Sequence, residues 1–355
     1  MAKHSRATTI AEVARRAGVS PATVSRVMND RFQGEPDVAE RVRAAAAQLD
    51  YSPSHLARSL ALGQNNAVGF LVPDLANPAF QAVLSGLSKA AALDGYRALV
   101  ADSAESATDE PVLAAEIRRR CDALILCAPR MDEDELVRVT AALGPTVLVS
   151  RSSLRVAAPT ISADSRAGIA GLAAHLYALG HRRVAYVEGP DGTANVKRSR
   201  GLADFIESVD DLDIVRIPGG AKSENGVAAA EAVVAAGVTG VLAFNDLVAI
   251  GLVHALVERG VRVPDDISVT GFDDIPFARY MSPSLTTASI PHELVGALAW
   301  SRMRSLFSGA TPEHNVVFQP RIEVRRSTAP PGAGARRTAR VGSGHERASD
   351  RPHSA

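Results

Sequence analysis

Aromatic side chains are scarce in this chain of 355 residues: one tryptophan, five tyrosines and nine phenylalanines, 4% of the total. Alanine and branched aliphatics must therefore fill its cores. There are two cysteines, Cys121 and Cys127, spaced unlike a CxxC redox or zinc motif, so both read as buried structural residues in a reducing compartment. No apolar run nears the ~20 residues of a membrane helix. The opening Met-Ala-Lys-His-Ser-Arg has no apolar signal-peptide core, so the expected location is the cytoplasm. Net charge is missing too, with 39 Lys and Arg against 39 Asp and Glu, which argues against a generic polyanion binder. No G-x-G-x-x-G follows a strand, and neither a P-loop nor a G-x-S-x-G elbow occurs. The nine histidines are scattered without H-E-x-x-H spacing. An enzyme, a cofactor and a catalytic metal are therefore not expected.

What is present begins at Thr9. Thr9 and Glu12 form a T-x-x-E capping box, followed by Ile10, Val13, Ala14 and Ala17 at helical spacing. Gly18 ends that helix. Ser20 is a good N-cap for a second, and Pro21 sits at its first position, where a missing N–H does no harm. Val24, Val27 and Met28 carry the apolar face, with Thr23, Ser25, Arg26 and Asn29 off it. Two short helices across a Gly-containing turn match the helix-turn-helix motif, whose second helix reads a major groove. An ordinary helical hairpin with a solvated polar face is the alternative. Residues 1–60 hold nine Lys/Arg against six acids, a net of +3, which suits a head that touches phosphates while the body stays off them.

Asp37 is expected to cap a third helix, closing the small core with Val38, Val42, Ala45, Ala46 and Leu49. Tyr51-Ser-Pro-Ser-His-Leu-Ala-Arg-Ser-Leu-Ala-Leu-Gly63 predicts a short helix, marginal alone because it is under ~12 residues. Leu56 and Leu60 lie one turn apart on it, either packed on the body or free to wedge between base steps. From Ala67 the texture alternates. Apolar runs at 67–72, 97–101, 123–127 and 146–150 form one series. Runs at 183–188, 214–217, 240–244 and 267–271 form a second, with helical stretches between. Such runs imply parallel sheets covered on both faces, hence two doubly wound lobes with a crevice at the carboxyl ends of their strands.

This order of elements resembles the lactose-repressor/galactose-repressor (LacI/GalR) family from about Thr8 to Arg326. The motifs are Val-Ser-Pro-Ala-Thr-Val-Ser-Arg-Val, Tyr-Ser-Pro-Ser-His-Leu-Ala-Arg-Ser-Leu and Val-Pro-Asp-Leu-Ala-Asn-Pro-Ala-Phe80. Further on come Leu-Gly-His-Arg-Arg-Val-Ala-Tyr186, Phe-Asn-Asp246, Gly-Phe-Asp-Asp274 and Pro-Ser-Leu-Thr-Thr287. The resemblance implies an all-α helix-turn-helix headpiece (1–51) and a hinge helix with linker (52–65). An α/β periplasmic-binding-protein-like body (66–328) follows. Its first lobe is expected at 66–164 and 292–319, its second at 165–291 and 320–328. Residues 329–355, rich in Ala, Gly, Pro and Arg, are expected to be a disordered basic tail.

The resemblance further implies a homodimeric transcriptional regulator, a repressor by expectation, on pseudo-palindromic double-stranded operator DNA in the nucleoid. A small-molecule effector in the crevice, sugar or nucleoside-like, would set DNA affinity. Pro21, Ala22 and Arg26 would face base edges, with Arg26 alone able to make a bidentate guanine contact. Thr9, Ser20, Thr23, Ser25 and Asn29 match phosphate-contacting positions. Leu60 matches the hinge wedge, with Arg58 beside it in the minor groove. The crevice would take Asp74, Asn77, Phe80, Ser150 and Arg151 from the first lobe. It would take Arg198, Asn245, Asp273 and His292 from the second lobe and the crossover.

This set suits a polar ligand: Asn245 and Asp273 for hydroxyls or amines, Arg198 for a hydroxyl or anion, Phe80 for a ring face. The residues also admit plainer roles, Asn245-Asp246 as a helix cap, Asp273-Asp274 as a turn and Arg198 as a surface ion-pair residue. Ser150 stands where sugar-binding members often carry aspartate. His292 is unusual at its position, and its charge near neutral pH would tune binding. The tail lacks the leucine heptads of tetrameric members, so a dimer is expected. A transporter's solute-binding protein, which shares the two-lobed body, would need a signal peptide and no helix-turn-helix.

Overall fold

The computed structural model describes residues 8–28, 31–51, 65–310 and 315–332. The chain divides into two compact units, Met1–Asn66 and Ala67–Ala355.

The first unit is a three-helix headpiece: α1 (Ile10–Ala17), α2 (Pro21–Met28) and α3 (Pro36–Gln48). The Glu12 carboxylate accepts from the Thr9 N–H at 2.7 Å and from its hydroxyl at 3.0 Å, fixing the start of α1. Gly18 ends α1 in the left-handed region at φ 68°, where a Cβ is costly. The Ser20 hydroxyl accepts from the Thr23 N–H at 3.1 Å and so caps α2. Val13, Ala14, Val24, Val27, Val42 and Ala45 close a core made almost wholly of small side chains. One expectation moves: α3 begins at Pro36 behind Glu35, and Asp37 lies inside its first turn rather than at the cap.

The second unit holds two six-stranded sheets. The first comprises β1 (Ala67–Val72), β2 (Arg97–Asp102), β3 (Ala123–Cys127), β4 (Thr146–Val149), β5 (Thr160–Ala163) and β11 (Val316–Phe318), in the order β11-β5-β4-β3-β1-β2. The second comprises β6 (Arg183–Val187), β7 (Asp213–Ile217), β8 (Gly240–Ala243), β9 (Ser268–Asp273), β10 (Thr286–Ser289) and β12 (Arg321–Glu323), in the order β12-β10-β9-β8-β6-β7. All pairings are parallel except β10 with β12. The central strands β1, β3, β4 and β8 are buried throughout, while β2 at one edge is largely exposed. Helices on both faces of each sheet explain the continuous apolar runs.

In the first lobe, α4 (Pro78–Leu93) and α12 (His292–Phe307) cover one face, with Val83, Leu87, Val295 and Trp300 against the strands. On the other face lie α5 (Glu110–Arg118) and α6 (Glu133–Leu143). The second lobe repeats the plan. There α9 (Ser223–Ala235) and α10 (Asp246–Glu258) lie on one face, and α7 (Ser165–Ala178) and α8 (Thr193–Glu207) on the other. A short α11 (Pro276–Tyr280) follows β9. Paired glycines let the helices touch backbone to backbone. A Cβ on Gly86 would sit 1.9 Å from the Glu293 carbonyl, and one on Gly251 1.9 Å from that of Ser223.

The folded chain extends past the expected boundary at 328. Ala329 donates to the Ser268 hydroxyl at 3.0 Å, and its carbonyl accepts from that hydroxyl at 3.1 Å and from His181 Nε2 at 3.0 Å. The first residue of the expected tail is therefore anchored beside β9. The remainder from 333 lies outside the described residues, as does the expected hinge helix. Among the described residues no helix is long and apolar enough to cross a membrane. Both cysteines are buried thiols, Cys121 pushed up to about 11 and Cys127 to about 12 by desolvation, which keeps them unreactive.

Candidate functional site

Each sheet has its switch point where the strand order reverses, between β1 and β3 and between β6 and β8. Ligands of open α/β sheets bind beyond the carboxyl ends of the strands there. In this protein the two switch points share one cleft of about 80 Å³ between the lobes. The first lobe supplies Asn77, Ala79, Phe80, Ala128, Arg130 and Ser150. The second supplies Arg198, Ala221, Phe244, Asn245 and Asp273, with Ile290 and His292 at the crossover. Three residues at strand ends on this wall hold left-handed backbones without being glycine: Ala128 at φ 47°, Ser150 at 58° and Asp273 at 112°. Such conformations cost on the order of 1–3 kcal/mol each and gather at ligand sites, where the surrounding fold enforces them.

Arg198, on α8, is buried. Its guanidinium lies 4.2 Å from the Phe244 ring centre and 3.9 Å from that of Phe272, and Nη1 donates to the Phe244 carbonyl. Among the described residues its Nε has no hydrogen-bond partner. Burial pulls its pKa down and Asp273 opposes that, but a guanidinium stays charged. Asp273, at the end of β9, is pushed up by burial and pulled back by His292 and Arg198, and it lines the cleft. The adjacent Asp274 behaves oppositely. Burial works against its charge, but Arg325 at 2.5 Å, with Arg279 and the Ser289 hydroxyl each at 3.0 Å, outweighs it and the pKa falls. Of the two neighbours, Asp274 is held by three side chains, and Asp273 lines the cleft.

His292 starts α12 and places Nε2 3.1 Å from the Asp273 carbonyl. A carbonyl only accepts, so Nε2 carries the proton and Nδ1 is left as an acceptor. Burial lowers its pKa and Asp273 only partly offsets this. The ring is therefore neutral near pH 7, against the expectation of a charge that tunes binding there.

Other expected residues divide. Phe80 and Ser150 line the cleft, as do Asn77 and Asn245, but both asparagines also cap helices. Asn77 Oδ1 accepts from the Ala79 N–H at 2.9 Å. Asn245 Oδ1 accepts from the Val248 N–H at 2.9 Å while its Nδ2 donates to the Ala221 carbonyl at 2.8 Å. The Asn245 amide has a second N–H beyond the one given to Ala221.

Asp74 and Arg151 are not on the wall. Asp74 accepts from the Ala76 N–H at 2.9 Å and shapes the turn before α4. Arg151 turns back beneath its loop to the Pro129 and Met131 carbonyls and to Glu133 at 3.2 Å. Arg130, not among the residues expected from the sequence, also lines the cleft. Its signal was a Pro-Arg pair just past the buried strand β3, at the switch point.

Asp246, beside Asn245, is fully buried and ties the start of α10 to β10 and to the loop after β9. It accepts from the Ile275 N–H at 2.8 Å and the Thr287 hydroxyl at 2.6 Å, and burial holds its pKa well above the usual range.

In the headpiece, Pro21, Ala22 and Arg26 are exposed on the outer face of α2, and Thr9 and Ser20 are exposed at helix starts. Thr23 and Ser25 are half-buried, and the Thr23 hydroxyl lies 2.9 Å from that of Ser20. Asn29, Arg58 and Leu60 lie outside the described residues.

Residues 9–54 match the family described as bacterial regulatory proteins, lacI family, and residues 173–328 match a periplasmic binding protein-like domain. The HTH-type transcriptional regulator MalR of Streptomyces coelicolor is 33% identical over 339 residues, 91% of this chain and 97% of its own. The chain belongs to the LacI family. Its relatives are HTH-type transcriptional regulators and repressors. Among solved structures, this LacI-family chain is similar to the lac repressor dimer bound to operator and the anti-inducer ONPF. The TM-score there is 0.80 at 26% identity, over 91% of this chain and all of that one. It is also similar to the CelR–cellobiose complex, with a TM-score of 0.66 at 26% identity over 90% of this chain and 99% of that one.

Proposed function

We propose that this LacI-family chain is a homodimeric transcriptional repressor of the cytoplasm, without enzymatic activity. Its affinity for a pseudo-palindromic operator would be set by a small polar metabolite, sugar or nucleoside-like, held between the lobes. The observation that carries the effector half is the state of the cleft's polar groups. Among the described residues Arg198 Nε is buried without a partner, and Asp273 lines the cleft beside it. Unpaired groups of this kind cost roughly 1–3 kcal/mol when a partner is absent. A polyhydroxy ligand supplies acceptors to Arg198 and donors to Asp273, with a C–H face against Phe80. The cleft, about 80 Å³, is smaller than the ~300–1,000 Å³ of pockets for drug-sized ligands. A sugar therefore enters with the lobes parted and is held as they close on it.

For the DNA half, exposed Pro21, Ala22 and Arg26 support a base-reading face, with Thr9, Ser20, Thr23, Ser25 and Asn29 toward phosphates. Residues 52–65, with Arg58 and Leu60, would form a hinge ordered on the minor groove. Lobe closure would change the hinge spacing in the dimer and hence operator affinity.

The test is a thermal-shift screen of sugars and nucleosides on the full chain, since a ligand stabilises by mass action. It is followed by selection of bound duplexes from a random pool. Stabilisation by a sugar or nucleoside and recovery of twofold-symmetric sites support the proposal. Sites without symmetry, or no ligand in either class, count against it.

A further inference from the structure

Arg130 presents a second guanidinium to the same cleft as Arg198, which by itself would favour an anionic ligand. Its surroundings remove that preference. Arg130 Nε donates to Glu105 Oε2 at 2.6 Å and Nη2 to Oε1 at 3.0 Å, a two-pronged fork, and Nη1 donates to the Ala128 carbonyl at 3.2 Å. The two side chains are only 13% and 19% exposed, so the pair is largely shielded from solvent. The loops that bring them together are pinned independently of the ion pair. The buried Glu110 carboxylate accepts the Arg130 N–H at 2.8 Å and the Met131 N–H at 2.7 Å, and the Glu105 N–H donates to the Pro73 carbonyl at 2.6 Å. Glu105 itself is held at φ 65°. The fork is therefore built into the loops after β2 and β3.

With Arg130 matched by Glu105, and His292 neutral, the charges left facing a ligand are one cation and one anion, Arg198 and Asp273. We propose that Glu105, which does not itself line the cleft, is a specificity-determining residue. By neutralising Arg130 it makes the cleft select uncharged polyhydroxy ligands over their phosphorylated or carboxylated counterparts. The inference rests on the effector reading above and narrows it.

The test is isothermal titration of the full chain with paired probes: ribose and ribose 5-phosphate, cellobiose and cellobionate, galactose and galacturonate. The wild type is expected to bind the neutral member of a pair at least ten-fold more tightly. Glu105→Gln frees the Arg130 charge and should shrink that ratio about ten-fold, the scale of one partly buried unit charge near the ligand. Glu105→Gln combined with Arg130→Gln should restore the ratio. If Glu105→Gln melts far below the wild type, Arg130→Gln alone, which removes the cation and leaves the Glu105 charge unmatched, replaces it and should widen the ratio instead. Equal or tighter binding of the anionic member by the wild type overturns the proposal. So does an unmoved ratio in a well-folded Glu105→Gln. A wild type that binds none of the six probes and no sugar or nucleoside of the thermal-shift screen overturns the effector reading and the role of Glu105 together, whereas a failure of the ratio alone leaves the effector reading standing.

Discussion

The Lys197 ammonium, on α8 of the second lobe, donates a 2.8 Å hydrogen bond to the Ser152 hydroxyl in the loop after β4 of the first. The bond spans the lobes next to Ser150 and Arg198 on the cleft wall. Burial lowers the Lys197 pKa, with Asp164 pulling the other way. A bond made only when the lobes are closed biases them toward closure, and apparent ligand affinity scales with the closed fraction. Lys197→Met should therefore weaken effector binding about five-fold, the worth of one such hydrogen bond, with the melting temperature little changed. Calorimetric titration with a stabilising sugar measures it, and unchanged or tighter binding excludes the latch.

Asp246 should matter to stability more than to binding. Removing its carboxylate strands the Ile275 N–H and the Thr287 hydroxyl inside the second lobe. Asp246→Ala is expected to cost ~2–6 kcal/mol, the range for two buried donors left without partners. Asp246→Asn, which keeps one acceptor, should cost less. Urea denaturation decides; equal costs for the two variants would show that shape rather than hydrogen bonding is at stake.

Much of this architecture was legible in the sequence, and the exceptions share physical causes. The runs at β1, β3, β4, β6 and β8 announce themselves because parallel strands buried on both faces must be apolar throughout. The strands β5, β10, β11 and β12 were missed. They are three or four residues long, and β10 is Thr-Thr-Ala-Ser, whose hydroxyls are satisfied only by distant partners such as Asp246 and Thr328. In the cleft, Phe80 and Asp273 were readable from motifs, and Arg198 from the family resemblance. Arg151 was not, because whether a guanidinium points into a cleft or back under its own loop depends on carbonyls twenty residues away. Asn245 had two readings in the sequence, a helix cap and a ligand-binding amide, and the fold places one side chain where it caps α10 and lines the cleft.

A pH dependence follows from His181. Its Nε2 donates to the Ala329 carbonyl, so Nδ1, 2.7 Å from the Thr239 hydroxyl, accepts. Burial is the main cause that holds its pKa below the ordinary 6.5. The unfolded chain therefore takes up the proton first as pH falls. The stability contributed by the neutral ring is present above about pH 6.5 and is lost as pH drops through the lower folded value. His175, lowered by burial and 2.9 Å from the Thr328 hydroxyl, adds in the same direction. Melting temperatures at pH 7.5 and 5.5 should show a drop that His181→Asn makes smaller; a drop of the same size in the variant would exclude His181 as its source.

Arg26, exposed on α2, is expected to carry more of the base discrimination than its apolar neighbours Pro21 and Ala22. Arg26→Ala should lose ~1–3 kcal/mol on the selected operator and relax preference at one base pair per half-site. Fluorescence anisotropy with the operator and single-base variants tests it. An equal loss on scrambled DNA would make Arg26 a phosphate contact.

The account stands on linkage between the cleft and the headpiece. The direct measurement is operator affinity with and without a cleft ligand, paired with ligand affinity with and without operator, at one salt concentration. A shift of about 5–150-fold in operator affinity, matched by the same factor in ligand affinity, is the predicted result. A ligand that saturates the cleft and leaves operator affinity unchanged would contradict it.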